Sequence, residues 1–224
     1  MSRSGHSGHF GFAGTHTARP RVFMPILYSG LKASTMVVMK IRYVNGAKIR
    51  NTTNTDFAGF ATHVYDAAVP TGELWIEDYL KPEKDLILHM AETEKRYERR
   101  SFAFIRARLQ KEALARGNPP PFVKKRERRG SLTIVSVDGA VVRAHLDPYF
   151  FLGGHDLVYS YIPKNEIWID ARNYPKDNRF TVIHELHERA LMARGMDYAS
   201  AHDYAIAEER HHRRKQGVAR FTNG

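Results

Sequence analysis

With 224 residues, 42% of them hydrophobic and 11% aromatic, the chain can bury one good core or two small ones and does not read as disordered. It has no cysteine, which excludes disulfides and thiolate metal sites and leaves His, Asp and Glu to hold any metal. The formal net charge of +11 favours anionic surroundings such as nucleic acid, and a cytoplasmic address is the simplest fit to a cysteine-free chain.

Residues 1–38 are expected to form a disordered N-terminal tail. Met1–Pro20 is polar and rich in Gly, Ser and His, with no apolar segment of the signal-peptide kind. Its three histidines, His6, His9 and His16, make a weak metal set. The apolar run Phe23–Met39 is broken by Pro25, Ser29, Gly30 and Lys32, so no transmembrane helix and no membrane partner are expected.

The rest of the chain matches itself. An offset of 93 residues lays Trp75 on Trp168, the two tryptophans of the chain. At the same offset Ile41 meets Ile134, Gly46 meets Gly139, Arg50 meets Arg143, Phe57 meets Phe150, Glu73 meets Glu166 and Pro82 meets Pro175. Similar neighbours accompany the identities: YVNGAKIR answers SVDGAVVR, and VPTGELWIED answers IPKNEIWIDA. The expected class is α+β, as two tandem copies of a small antiparallel-sheet-plus-helices unit. In each unit Asn45-Gly46 or Asp138-Gly139 is read as the turn of a hairpin. A second strand pair is expected at Leu157–Ile162 and Glu166–Ile169, around a Pro-Lys-Asn turn, with helices after it. The first copy spans residues 39–117 and the second 130–216. Residues 118–129, with NPPPF and KKRERR, read as an extended, exposed Pro-rich basic linker, and 217–224 as a tail.

Two basic runs, Lys124–Arg129 and Arg210–Lys215, are either solvated linker and tail segments or contacts for nucleic acid. Neither is interleaved with aromatics, so no stacking platform for single strands is visible.

Phe180–Arg189, FTVIHELHER, carries the chemistry. On a helix, Val182, Ile183, Leu186, Ala190 and Ala193 make an apolar arc for packing on the sheet. His184 and Glu188, one turn apart, can share an ion, and Glu185 lies beside them. The pattern is that of the His-Glu-x-x-His zinc helix, whose inner Glu is the general base, but with Glu in the fifth position. Catalytic zinc takes three protein ligands, and the next helix offers His202 as the third. Gly195 ends the first helix, Asp197 caps the second, and Ala201 and Ala205 allow close approach. His187 is read as a core residue or one backing a ligand, with a ligand role as the alternative. His155, after Gly153-Gly154, is a further ligand, an oxyanion donor or part of a tight loop; Tyr159 and Tyr161 line the same edge. The first copy lacks the set, with Thr93 at the ligand position and Ala107 and Arg108 opposite His202. Its expected role is to pair with the second copy, cover the sheet or shape the cleft.

FTVIHELHERALMARGMDYASAH resembles the helix pair of zincin-like metallopeptidases, particularly small ones of phage and mobile-element type with His-Glu-x-x-Glu and a later Ala-His. The likeness covers about residues 166–209. It implies one zinc ion, with Glu185 activating water and a peptide or protein as substrate. The function expected is therefore a zinc-dependent hydrolase, a metallopeptidase in the first instance, with zinc on His184, Glu188 and His202. The alternatives are a basic nucleic-acid-binding or assembly protein with a structural metal or none, and a metal-dependent enzyme of another chemistry such as phosphoester hydrolysis.

Overall fold

In the first half, strand β1 (Lys40–Val44) leads into helix α1 (Gly46–Thr52), then β2 (Phe60–Thr62) and β3 (Glu73–Glu77). A 3₁₀ turn at Asp78–Glu83, helix α2 (Lys84–Arg96) and helix α3 (Phe102–Leu114) follow. The second half runs β4 (Val123–Arg129), β5 (Leu132–Val137), α4 (Gly139–His145), β6 (Gly153–His155), β7 (Glu166–Asp170), α5 (Asn178–Met192) and α6 (Tyr198–Lys215). This computed structural model describes residues 39–64 and 66–219, all within one compact unit; the expected tail at 1–38 lies outside the described residues. The protein is α+β, with two small sheets and six helices among the described residues. None of the helices is long and apolar enough to cross a membrane.

Both sheets are mixed, a correction to the antiparallel expectation. Their orders are β1-β3-β2 and β4-β5-β7-β6. β1 pairs parallel to β3 with Lys40 opposite Glu73, and β5 pairs parallel to β7 with Thr133 opposite Glu166. β2 and β6 then join antiparallel, with Phe60 opposite Ile76 and Gly153 opposite Ile169. Each of these pairings recurs 93 positions along the chain.

The Asn-Gly and Asp-Gly hairpin turns do not form. Asn45 and Asp138 instead precede helices, in extended backbone, and Asn45 accepts a hydrogen bond from the Lys48 amide as an N-cap. Glycine is needed at the next position for space. A Cβ on Gly46 would lie 1.8 Å from the Glu77 carboxylate, and one on Gly139 would lie 2.0 Å from that of Asp170. The dipeptide that favours a tight turn is used here to let a buried carboxylate touch a helix start.

Those carboxylates belong to two buried ion networks. Arg50 donates to Glu77, to the Phe57 carbonyl and, across to the other half, to Asp177. Arg143 donates in the same way to Asp170, to the Phe150 carbonyl and back across to Glu83. Both arginines are at most 1% exposed. Such charges are tolerated inside a protein because several fixed acceptors surround each one. The exchange of acids between the halves ties the two sheets together.

Two further expectations change. Residues 123–129, read as part of a linker, form β4, an edge strand hydrogen-bonded antiparallel to β5. Its seven residues are all exposed, and charged side chains are usual on an edge strand, where they discourage further pairing. Leu157–Ile162 forms turns, and the partner of β7 on that side is β6. Along β5 the residues alternate: Val135 and Val137 pack with Phe150 and Trp168, while Ile134 faces the other way with Ile167 and Ile169. That second face receives Val182 and Leu186 of α5, which fixes the helix on the sheet.

Candidate metal centre

Helix α5 presents its apolar arc to the sheet and its polar arc to α6. The polar arc is the more deeply buried: Thr181, Glu185 and Glu188 are buried, whereas Val182, Ile183 and Leu186 are half-buried. The cause is the close approach of α6. Gly195, at φ +94°, ends the turn between the helices in a conformation that favours glycine. Asp197 then accepts from the Ser200 amide and starts α6. Ala201 and Ala205 are fully buried at the contact, small enough to bring the two backbones together.

This packing gathers His184, Glu188 and His202. Nε2 of His184 lies 3.2 Å from Nδ1 of His202 and 3.5 Å from Oε2 of Glu188, and His202 Nδ1 is 2.6 Å from that same oxygen. Each of the three has its remaining polar atom held from behind. His184 Nδ1 faces Glu209 Oε2 at 3.0 Å, and His202 Nε2 faces Asp56 Oδ1 at 3.1 Å. Glu188 Oε1 is 3.0 Å from Nε2 of His155. The Leu157 amide donates to His155 Nδ1, so the His155 proton sits on Nε2 and is donated to Glu188. Two imidazole nitrogens and one carboxylate oxygen are thereby pointed at one small volume. Carboxylate-backed histidines of this kind are the usual supports of a metal ligand set.

The electrostatics are those of a site built around positive charge. Burial alone would depress His184, but contacts with Glu188 and Glu209 outweigh it and raise it to about 10. His202 is raised to about 9, burial again being outweighed by Asp56 and Glu188. Burial also opposes ionisation of Glu188, yet hydrogen bonds from the three histidines hold its carboxyl well below the usual range. Without a metal, protons on the two histidines balance the acids; a divalent cation can take the same place. Glu185 differs. It makes no side-chain hydrogen bond to a described residue, and burial pushes it up to about 7, with His184 opposing and Glu188 reinforcing the shift.

The set opens on a cleft of about 280 Å³ lined by Glu185, Tyr159, Tyr198, Thr55 and Asp56 among others. Tyr198 stacks on His202 with ring centroids 5.4 Å apart. Tyr159 lines the wall, its ring lying where a side chain on Gly154 would clash at 2.3 Å.

Other expected site residues fall differently. His155 is fully buried and both its ring nitrogens are engaged, one of them with Glu188; His155, Glu185 and Glu188 also offer donor atoms within 4.8 Å of one another, a second group that could hold a metal. His187 is half-buried on α5 and does not line the cleft. Arg213, in the run read as a solvated tail, is fully buried: it donates to Glu209 and to Asp177, which also holds Arg50. A continuous chain of ion pairs thus runs from His184 through Glu209, Arg213 and Asp177 to the first half's core. Sequence reasoning places Glu209 on the same helical face as His202 without giving it a role, and it misses Asp56. Glu209 stands two turns beyond His202 on one helical face, a usable signal, whereas Asp56 lies between α1 and β2 and nothing local marks it.

Compared with known proteins, the chain matches no family model, no curated sequence and no solved structure.

Proposed function

We propose that the protein is a zinc-dependent hydrolase that cleaves peptide bonds, with His184, Glu188 and His202 as the zinc ligands and Glu185 as the general base. One observation carries this reading: three donor atoms converge while the opposite atom of each ligand is held by Glu209, Asp56 or His155. A two-His, one-carboxylate set with no thiolate suits zinc. Zinc bound there supplies Lewis acidity to the reacting carbonyl.

The chain's own groups do the rest. Glu185, buried on the cleft beside the ligand set, takes a proton from the attacking water and returns it to the leaving amine. Tyr159 and Tyr198, on the cleft wall, are the phenol donors available to a developing oxyanion. His155 keeps Glu188 ionised and aimed. The resemblance to zincin-like metallopeptidases of phage and mobile-element type points the same way.

We also propose that the two halves are tandem copies of one unit, only the second of which carries the ligand set. The recurrence of strand pairings, helix starts and buried arginines at a 93-residue offset supports this.

A second reading, a nucleic-acid-binding or assembly protein, would use the exposed basic strand β4. Its side chains are already engaged: Lys124 with Asp138, Lys125 and Arg129 with Glu127, Arg126 with Glu166, and Arg128 with the Gly130 carbonyl. That favours the first reading.

The test is incubation of the zinc-loaded full chain with a mixed peptide pool, with products read by mass spectrometry. Cleavage is expected, and Glu185→Gln should slow it roughly 10²–10⁴-fold while leaving zinc in place. No cleavage by the wild type, or cleavage undiminished in Glu185→Gln, would overturn the assignment.

A further inference from the structure

The cleft at the candidate metal centre continues into a second depression of about 320 Å³. The two share Asp56, Ala58, Tyr149 and Phe151 as lining residues, so they form one trough. The chain carries 35 Lys and Arg against 24 Asp and Glu, yet this depression is lined by Asp56, Asp66 and Glu94 and by no Lys or Arg. No ion pair with Lys or Arg reaches any of the three acids among the described residues. Asp66 is held by the Asn54 side chain and the Ala68 amide, both neutral donors.

Glu94 is the marked group. It is 5% exposed, its Oε1 accepts from the Tyr149 hydroxyl at 2.7 Å, and its buried Oε2 has no partner among the described residues. Burial pushes its carboxyl up to about 7, with the Tyr149 bond opposing. A buried acceptor left without a donor is unfavourable, and a ligand that brings the donor removes that cost. The walls suit a long cationic side chain. Phe102, half exposed, meets Tyr149 edge-on at 4.9 Å, giving aromatic surface for a methylene stem and for a cation over a ring face.

We propose that this depression is a specificity subsite of the same cleft, taking a lysine or arginine side chain of a peptide with Glu94 Oε2 as its terminal acceptor. The inference rests on the peptide-hydrolase reading for its place in a reaction, but it is tested by binding alone. Nα-acetyl-lysine amide, its arginine counterpart and its norleucine counterpart are titrated calorimetrically into the full chain, with and without zinc. One or both basic compounds should bind at least about tenfold more tightly than the norleucine one, as expected where a buried charge finds its partner. Glu94→Gln should abolish that preference, and Asp66→Asn should reduce it. Equal binding of the basic and norleucine compounds, no binding of any, or a preference that survives Glu94→Gln would overturn the proposal. A Glu94-dependent preference in a chain that cleaves no peptide would keep the subsite and discard the hydrolase. Cleavage with no basic preference would do the reverse.

Discussion

Helices α2 and α5 each follow a strand, β3 or β7, that is flanked on both sides within its sheet, and they bury different sets of side chains. In α2 the buried positions are Ile87, Met90, Ala91, Thr93 and Glu94, and His89 sits at the surface against Glu112. In α5 the buried positions are Phe180, Thr181, Glu185 and Glu188, with His184 beside them. The first half packs its helix mainly with hydrocarbon and buries one carboxylate, Glu94, where the second buries two, and burying such groups is unfavourable unless partners or a metal offset it. Packing therefore does not require the polar set of α5. Its partners come from three other places, α6, β6 and the loop after α1, which is an expensive arrangement to keep for structure alone.

Four substitutions test that contrast. The largest effect is expected from Arg50→Ala, which leaves Glu77 and Asp177 buried without their cation. It should destabilise the chain by about 3–5 kcal/mol in denaturant unfolding, because removing one member of a buried network exposes the full desolvation penalty of the others. Since Asp177 also holds Arg213, zinc affinity should fall in the same variant. Glu209→Gln tests the support of His184 more narrowly: zinc binding should weaken roughly 10–100-fold with the fold intact by circular dichroism.

Glu94→Gln comes next and depends on pH. Its carboxyl lies at about 7 in the folded chain against an ordinary 4.5, so the folded state binds the extra proton between those values. The stability linked to that proton is fully present below about pH 4.5 and is lost as pH rises through about 7. The variant lacks this loss, so its unfolding free energy in denaturant should gain on the wild type between pH 5 and pH 8, by on the order of 2 kcal/mol. The smallest effect is expected from His89→Ala, on the surface of α2, which should change stability by no more than about 0.5 kcal/mol and leave zinc binding unaltered.

Much of the second half's site is legible because its spacing is local. A one-turn separation puts His184 beside Glu188 on any helix, and Gly195 with Asp197 announces the turn that folds α6 back with His202 facing inward. What is not legible is what depends on contacts distant in sequence. Asp56 reaches His202 across 146 positions, and no pattern around Thr55-Asp56-Phe57 foretells it. The same applies to Asn45-Gly46 and Asp138-Gly139: taken locally they favour a hairpin, and only the carboxylates of Glu77 and Asp170, from strands farther along, make them helix starts. The basic character of residues 124–129 is equally ambiguous, since exposed charge suits both a solvated linker and the edge strand that β4 forms. Arg213 resembles its solvated neighbours in composition and differs only in having Glu209 and Asp177 within reach.

The proposed site holds one zinc ion on His184, Glu188 and His202. It is tested most directly by zinc analysis of the dialysed full chain beside the doubly substituted His184→Ala, His202→Ala variant, with His6→Ala, His9→Ala and His16→Ala combined as a control for the tail. The wild type and the tail variant should each carry one zinc per chain and the double variant none. A folded wild type that takes up no zinc, or a double variant that keeps it, would rule this site out.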